Sequence, residues 1–188
     1  MKKLLLILLC LPMIGFGQVT YVPDDNFEAY LEANGMGNGI PNDDYVTTAN
    51  INIVSNLYVN NQNIADLTGI EDFTALTQLY CHANQLTSLD VSQNIVLTNL
   101  GCHNNQLTSL DVSANTALTQ LYCNANQLTS LDVSTNTNLI ELDCYNNQLT
   151  SLDVRNGNNI NMRYDFPDSM PGISVYGNPS LTCIDVDN

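Results

Sequence analysis

The sequence predicts a solenoid of stacked parallel β-strands, and three observations support this fold class. The octapeptide NQLTSLDV occurs four times without change, at Asn84–Val91, Asn105–Val112, Asn126–Val133 and Asn147–Val154. Successive copies start 21 residues apart, a period typical of units that stack only on their neighbours. Apolar Leu79 and Cys81 alternate with polar residues, so Gln78–His82 is predicted to be a half-buried strand. Because this strand recurs in every unit, successive strands should pair in parallel, about 4.8 Å apart.

The first segment, residues 1–17, has the features of a secretory signal peptide. Two lysines precede the apolar run Leu4–Phe16, and Gly15 and Gly17 are the small residues expected before a cleavage site. The run is too short to be a stable membrane-spanning helix. We therefore expect a chain that is exported, either secreted or at the cell surface, without membrane insertion.

The charge balance narrows the choice of partners. After removal of the predicted signal peptide, Arg155 and Arg163 face nineteen acidic residues, a formal net charge of −17. Such a chain repels phosphate groups, so the composition argues against nucleic acids and anionic membrane surfaces as partners. The acidity also favours solubility in an external medium.

Residues 18–53 are predicted to form an N-terminal cap that covers the first coil. The stretch PDDNFEAYLEANG predicts one helix, with Asp24 or Asp25 as its N-cap. Phe27 and Leu31 lie one turn apart on its apolar side, and Gly35 ends it. Few other helices are expected.

Residues 54–159 are predicted to contain five repeats, one of 22 and four of 21 residues. Their bounds are Val54–Ala75, Leu76–Val96, Leu97–Ala117, Leu118–Asn138 and Leu139–Asn159. Each 21-residue unit follows L-x-x-L-x-C-x-x-N-x-L, so both halves of a coil direct leucines inward. The pattern decays in residues 160–188, which are assigned to a C-terminal cap.

This pattern resembles leucine-rich repeats, with cysteine in the third apolar position. The stretch from Ile64 to Ile70 resembles internalin repeats. The half-pattern recurs within one unit, at Leu86, Leu89, Val91 and Asn94, which resembles the nested repeats of bacterial leucine-rich-repeat proteins. The two ends of the chain resemble caps of secreted Bacteroidetes proteins. The resemblance implies a leucine-rich-repeat solenoid in which the turn asparagine bonds the backbone of the next coil. It also implies that the exposed face of the parallel sheet binds ligands.

Candidate binding residues occupy the outward positions of the predicted strands, which vary while the rest of the repeat is nearly constant. Tyr, Asn, Gln and His there are typical of binding surfaces. The alternative is a solvated sheet whose tyrosines stack for stability. The candidates are Asn56, Tyr58, Asn60, Gln78, Tyr80, His82, Asn99, His103, Gln120, Tyr122, Asn124, Glu141, Asp143 and Tyr145.

Two further columns leave alternatives open. An outward aspartate column either caps backbone N–H groups in turns or bridges Ca²⁺ between rungs; its members are Asp90, Asp111, Asp132 and Asp153. An inward cysteine column either fills the core as thiols, which the rung spacing favours, or forms disulfides; its members are Cys81, Cys102, Cys123 and Cys144. His82 and His103 on adjacent rungs fall short of the three or four ligands of a stable metal site, and no cofactor is predicted.

The function predicted from the sequence is a non-enzymatic, monomeric interaction module that binds an extracellular protein or glycan. A β-solenoid enzyme acting on polysaccharide is the alternative, but such enzymes use basic residues and this chain offers two arginines after the signal peptide. A structural role is the other alternative, in which a threonine column binds ice or a surface; that column is Thr87, Thr108, Thr129 and Thr150.

Overall fold

The computed structural model describes residues 17–158 and 172–187. The predicted signal peptide lies almost entirely outside these ranges. Within them, no helix combines the length and the apolar character needed to cross a membrane.

The N-terminal region contains the predicted helix and a small sheet that was not predicted. In chain order its elements are β1 (Val19–Tyr21), α1 (Asp25–Ala33), β2 (Tyr45–Thr47) and α2 (Thr48–Ile51). Strands β1 and β2 pair antiparallel. Asp24 is the N-cap of α1, because its Oδ1 accepts the N–H groups of Asn26 and Phe27, both at 3.0 Å. The helix ends at Ala33, and Gly35 follows with a φ of 73°.

A six-stranded parallel sheet forms one side of the solenoid, which confirms the predicted fold class. Its strands are β3 (Asn56–Tyr58), β4 (Gln78–Tyr80), β5 (Asn99–Gly101), β6 (Gln120–Tyr122), β8 (Glu141–Asp143) and β10 (Ile173–Ser174). The central leucine of each of the first five strands is in register with that of the next, from Leu57 to Leu142. These leucines are buried, so the residues on either side of them face outward.

A second, three-stranded parallel sheet forms the other side of the coils. It consists of β7 (Ser130–Asp132), β9 (Ser151–Asp153) and β11 (Cys183–Asp185). Leucine, valine and cysteine side chains from both sides fill a continuous core. The N-terminal region joins this core through Phe27, whose ring stacks on Phe73 with centroids 6.3 Å apart. The other carboxylate oxygen of Asp24 accepts the N–H groups of Ala65 and Asp66, which ties the cap to the first coil.

Two columns of asparagine side chains support the turns. We call the first ladder Asn84, Asn105, Asn126, Asn147 and Asn178. In this ladder Asn126 accepts from Leu107 N–H at 3.0 Å and donates to the carbonyls of Cys102 and Cys123, both at 3.1 Å. The expected contact with the next coil is therefore reversed, since Leu107 and Cys102 belong to the preceding coil. The bonds run backward because the oxygen meets an N–H group that the preceding turn leaves unpaired.

The second ladder is less complete. Its members Asn94, Asn115 and Asn136 are fully buried, and their Nδ2 groups donate to carbonyls of the preceding coil. Asn115, for example, donates to Val91 and Asn94 at 2.9 and 3.0 Å. The Oδ1 atom of each of the three has no hydrogen-bond partner.

Residues 172–187 add one strand to each of the two parallel sheets. Strand β10 pairs with β8, and β11 pairs with β9. Asn178 enters the first ladder, because it accepts from Leu149 N–H at 3.0 Å and donates to Cys144 and Val175. The repeating structure thus extends beyond the residues in which the sequence pattern is regular.

Candidate ligand-binding face

The fourteen candidate residues lie along the outward side of the six-stranded sheet or directly after its strands. We call this surface the strand face. Thirteen of the fourteen are half-buried or exposed. The structure therefore brings together on one surface the residues that the sequence analysis selected.

Asn124 is the exception and corrects the predicted set. Its side chain is 5% exposed and hydrogen-bonds Tyr145 on the next rung. An outward backbone position therefore does not ensure an exposed side chain. Asn124 positions Tyr145 and offers little surface to a ligand.

The first part of the strand face is aromatic and uncharged. Tyr58 and Tyr80 stack with centroids 5.4 Å apart and nearly parallel rings, and the Tyr58 hydroxyl donates to Gln78 at 3.1 Å. The Tyr80 ring covers Gly101 on the next strand, where an added Cβ would lie 2.6 Å from Cδ1 of the tyrosine. Glycine at this position thus provides the space in which the ring lies. The ring of His82 meets Tyr80 edge-on at 6.5 Å.

His82 and His103 form a stacked pair on adjacent rungs. Their ring centroids are 4.3 Å apart and the rings are nearly parallel. Burial lowers the pKa of both, and the proximity of His82 lowers that of His103 further. Both Nδ1 atoms are buried and lack a hydrogen-bond partner. The pair therefore presents neutral, flat surfaces at pH 7.

A hydrogen-bonded row runs along the first outward column. Asn99 donates to Gln120, and Gln120 donates to Oε2 of Glu141 at 2.7 Å. The Tyr122 hydroxyl also hydrogen-bonds Glu141, and burial followed by this bond raises the pKa of Tyr122. These contacts order the side chains across three strands.

The last part of the strand face is acidic. Glu141 and Asp143 flank the buried Leu142, and burial, followed by the charge of Glu141, raises the pKa of Asp143. Tyr145 stacks on Tyr176 with centroids 4.4 Å apart. Tyr176 was not among the predicted residues, although the sequence VYGN around it matches the CYNN that contains Tyr145.

The opposite side of the coils carries a groove lined by serine and aspartate. Three adjoining cavities of about 370, 400 and 200 Å³ follow it from Asp66 to Asp132. Asp90 and Asp111 accept the N–H groups of Ser92 and Ser113, both at 2.9 Å. Hydrogen bonds from these serines lower the pKa of both carboxyls. The aspartates therefore cap turns, one of the two roles considered from the sequence.

The cap, not the aspartate column, contains three carboxylates close enough to share a cation. In the described residues these are Asp25, Glu28 and Asp44, with one oxygen from each within 4.8 Å of the others. Glu28 is 1% exposed and its two oxygens accept the N–H groups of Asp43 and Asp44, at 3.1 and 3.3 Å. Holding this loop accounts for the burial of Glu28.

The four cysteines of the inward column are fully buried thiols. Burial raises the pKa of each, to about 12 for Cys102 and Cys144. They line the core directly beneath the strand face and remain protonated at neutral pH. Cys183 on β11 is exposed.

The fold and the two asparagine ladders define a leucine-rich-repeat solenoid. Comparison with known proteins finds similarity to internalins: internalin J of Listeria monocytogenes serotype 4b is 41% identical over 74 residues. A solved functional domain of InlJ from Listeria monocytogenes, described as including a cysteine ladder, is 42% identical with a TM-score of 0.67. An internalin, InlF, from Listeria monocytogenes shares the fold at 23% identity and a TM-score of 0.57. No known protein-family profile matches the chain.

These matches cover more of this chain than of its relatives. The aligned part is 39% of this chain and 8% of internalin J. For the solved InlJ domain the shares are 74% and 32%, and for InlF they are 71% and 50%. The chain is thus similar to part of the length of these internalins.

Proposed function

We propose that the chain is a non-catalytic interaction module, exported from the cell, that binds an extracellular protein or glycan through the strand face. One observation carries the proposal. In the four 21-residue coils the inward leucines, the cysteine and the octapeptide are constant, whereas the outward strand positions vary and hold mainly exposed or half-buried Tyr, His, Asn and Gln. Tyrosine gives a large contact area at a low cost in conformational entropy.

The comparisons support the same interpretation. The similar InlJ structure is a functional domain, which is consistent with a repeat domain that is itself the working part of the protein. The stacked tyrosines and the hydrogen-bonded row hold the side chains before a ligand arrives, which reduces the entropy lost on binding. We propose a monomer, because a ligand that lies along the face contacts several rungs of one chain.

A capture experiment tests the proposal. Residues 18–188 would be immobilised and exposed to host extracellular proteins and to a panel of polysaccharides. A variant with Tyr58, Tyr80 and Tyr122 changed to Ala should lose at least tenfold in affinity for the captured ligand, while its circular dichroism spectrum shows that it is still folded.

The matched control changes the same number of residues on the other side of the coils. Thr87, Thr108 and Thr129 are exposed and stand in the constant octapeptide. The variant with these three changed to Ala should bind as the parent chain does. If the threonine variant lost binding and the tyrosine variant kept it, the proposed face would be wrong.

A further inference from the structure

The strand face has two chemically different parts. The neutral part contains Tyr58, Tyr80 and the His82–His103 pair and has no ionised group at pH 7. The acidic part, on β6, β8 and β10 and directly after them, consists of Tyr122, Glu141, Asp143, Tyr145 and Tyr176. A single uniform ligand surface would not show this division.

The two carboxylates of the acidic part are unequally satisfied. Glu141 accepts from Gln120 and bonds the Tyr122 hydroxyl. In the described part of the chain, no N–H or O–H group donates to the side chain of Asp143, although this side chain is half-buried. The residues are two apart on one strand, so their α-carbons are about 6.6 Å apart. Burial of a carboxylate without a donor is unfavourable, and a nearby like charge makes it more so.

No cation of the described residues offsets this charge. Arg155 is the basic residue within the described ranges, and it pairs with Asp153 on the opposite side of the coils. The whole chain carries nineteen acidic residues against four basic ones. Within the described residues, the charges of Glu141 and Asp143 are thus left for a partner to neutralise.

The aromatic rings beside the carboxylates define the kind of cation. Tyr145 and Tyr176 stack next to the acidic pair, and Tyr176 is 60% exposed. A guanidinium group is planar, bonds carboxylates through paired N–H groups and stacks on aromatic rings. An ammonium group is a hydrated point charge that uses such a site less completely.

We propose that the acidic part of the strand face binds an arginine side chain presented by a basic segment of a partner protein. The guanidinium donates to the carboxylates of Asp143 and Glu141 and lies against the tyrosine rings. This inference rests on the proposed function of the strand face, and it specifies the partner as a protein with an exposed arginine. The neutral part of the face then contacts the uncharged remainder of the partner.

Peptide binding at 0.15 M salt tests the inference. The probe is a blocked, fluorescein-labelled peptide of alternating glycine and arginine, and its control is the same peptide with citrulline, which has the shape of arginine without the charge. The arginine peptide should bind saturably and the citrulline peptide should not. Asp143→Asn and, separately, Glu141→Gln should each weaken arginine-peptide binding at least tenfold.

Asp111→Asn is the matched control, because it changes the net charge by the same amount on the opposite side of the coils. It should leave the affinity within twofold. Equal weakening by Asp143→Asn and Asp111→Asn would mean general attraction to an acidic protein and would overturn the inference. Loss with Asp111→Asn alone would place the site in the serine–aspartate groove and would also overturn it.

The same variants separate this inference from the proposed function. A captured ligand lost in the triple tyrosine variant but bound normally by Asp143→Asn would leave the proposed function in place and overturn the arginine site. Suppose instead that binding of the arginine peptide depends on Asp143 but that no captured ligand depends on the tyrosines. That result would keep the arginine site and overturn the broader binding role of the strand face.

Discussion

The two halves of each coil share the same leucine spacing but are held together differently. The first half carries the strand face, the cysteine column and the first asparagine ladder. The second half carries the serine–aspartate groove, a valine in place of cysteine, and the second ladder. In the first half each ladder asparagine uses both its oxygen and its nitrogen, as Asn126 shows. In the second half the oxygen of Asn115 has no partner.

The carbonyl groups that accept from the two ladders also differ. In the second half, Val91 and Asn94 carbonyls accept the backbone N–H groups of Asn94 and Leu97 as well as the Asn115 side chain. In the first half, the cysteine carbonyl of each coil accepts from two ladder side chains, as Cys102 does from Asn105 and Asn126. The carbonyl groups of the second half therefore depend less on their ladder for hydrogen bonds than those of the first half do. The variable face is built on the ladder that saturates its hydrogen bonds.

The largest expected effect comes from breaking the two ladders separately. Asn126→Ala leaves the buried Leu107 N–H group without its acceptor and removes one of the two side-chain donors to each of the Cys102 and Cys123 carbonyls. We expect it to lower the free energy of unfolding by about 3 kcal/mol. Asn115→Ala removes an already unpartnered oxygen and leaves carbonyls that keep backbone donors, so we expect a loss of about 1 kcal/mol.

Urea unfolding followed by circular dichroism measures both values. Asn105→Ala and Asn94→Ala repeat the comparison one coil earlier and guard against an effect of position along the solenoid. Equal losses in the two ladders would show that the backbone donors of the second half do not compensate for its side chains.

The comparison also separates what the sequence predicts from what it does not. Period and alternation suffice for the parallel strands, the inward leucines and the side of the sheet on which the candidates lie. They do not show which outward side chains are buried: Asn124 occupies an outward position, yet it is 5% exposed and hydrogen-bonds Tyr145 on the next rung. The direction of the ladder bonds is equally hidden, because an asparagine at a turn has a coil on either side.

The ends of the molecule were harder to predict than its middle. Strands β1 and β2 are three residues each, too short to show an alternating pattern, and they pair across 23 intervening residues, from Val22 to Asp44. The coil that contains Asn178 departs from the 21-residue spacing, so its ladder position is visible only from the local match between VYGN and CYNN. The acidic part of the strand face depends on this coil, because Tyr176 belongs to it.

A smaller effect on the free energy of unfolding is expected at the turn that precedes each asparagine of the first ladder. The residue before each ladder asparagine there is left-handed, with φ of 54° at Ala83 and 52° at Ala125, whereas Asn104 and Asn146 hold the equivalent places in the other coils. The left-handed region is unfavourable for alanine and easier for asparagine. Ala125→Asn should therefore raise the free energy of unfolding by about 0.5 to 1 kcal/mol.

The control is Ala117→Asn, at a position that is not left-handed. It should give no such gain in the same urea unfolding experiment. A gain of equal size at Ala117 would show that asparagine stabilises through surface hydrogen bonds and not through the backbone conformation.

The smallest expected effect is a difference between the two halves in the pH range over which each loses stability. Burial holds the pKa of His82 and His103 below the 6.5 of a free imidazole. Above pH 6.5 the rings are neutral in both folded and unfolded chains. As the pH falls through 6.5 the unfolded chain takes up protons that the folded chain does not, so stability is lost until the pH passes the lower folded pKa. Partial exposure of both rings keeps the loss small.

The groove aspartates respond in a different pH range and with the usual carboxylate sign. Because the folded pKa of Asp90 and Asp111 lies below 3.8, their contribution is present above pH 3.8 and is lost as the pH falls through the folded value. The loss between pH 7 and 5 therefore reports on the strand face. A variant with His82→Asn and His103→Asn carries the residue found at the equivalent Asn60 and Asn124, and should lose less melting temperature over that interval than the parent chain. If the parent and the variant lost stability equally between pH 7 and 5, the histidine stack would not be the group that senses pH, because the two chains differ in no other titratable group.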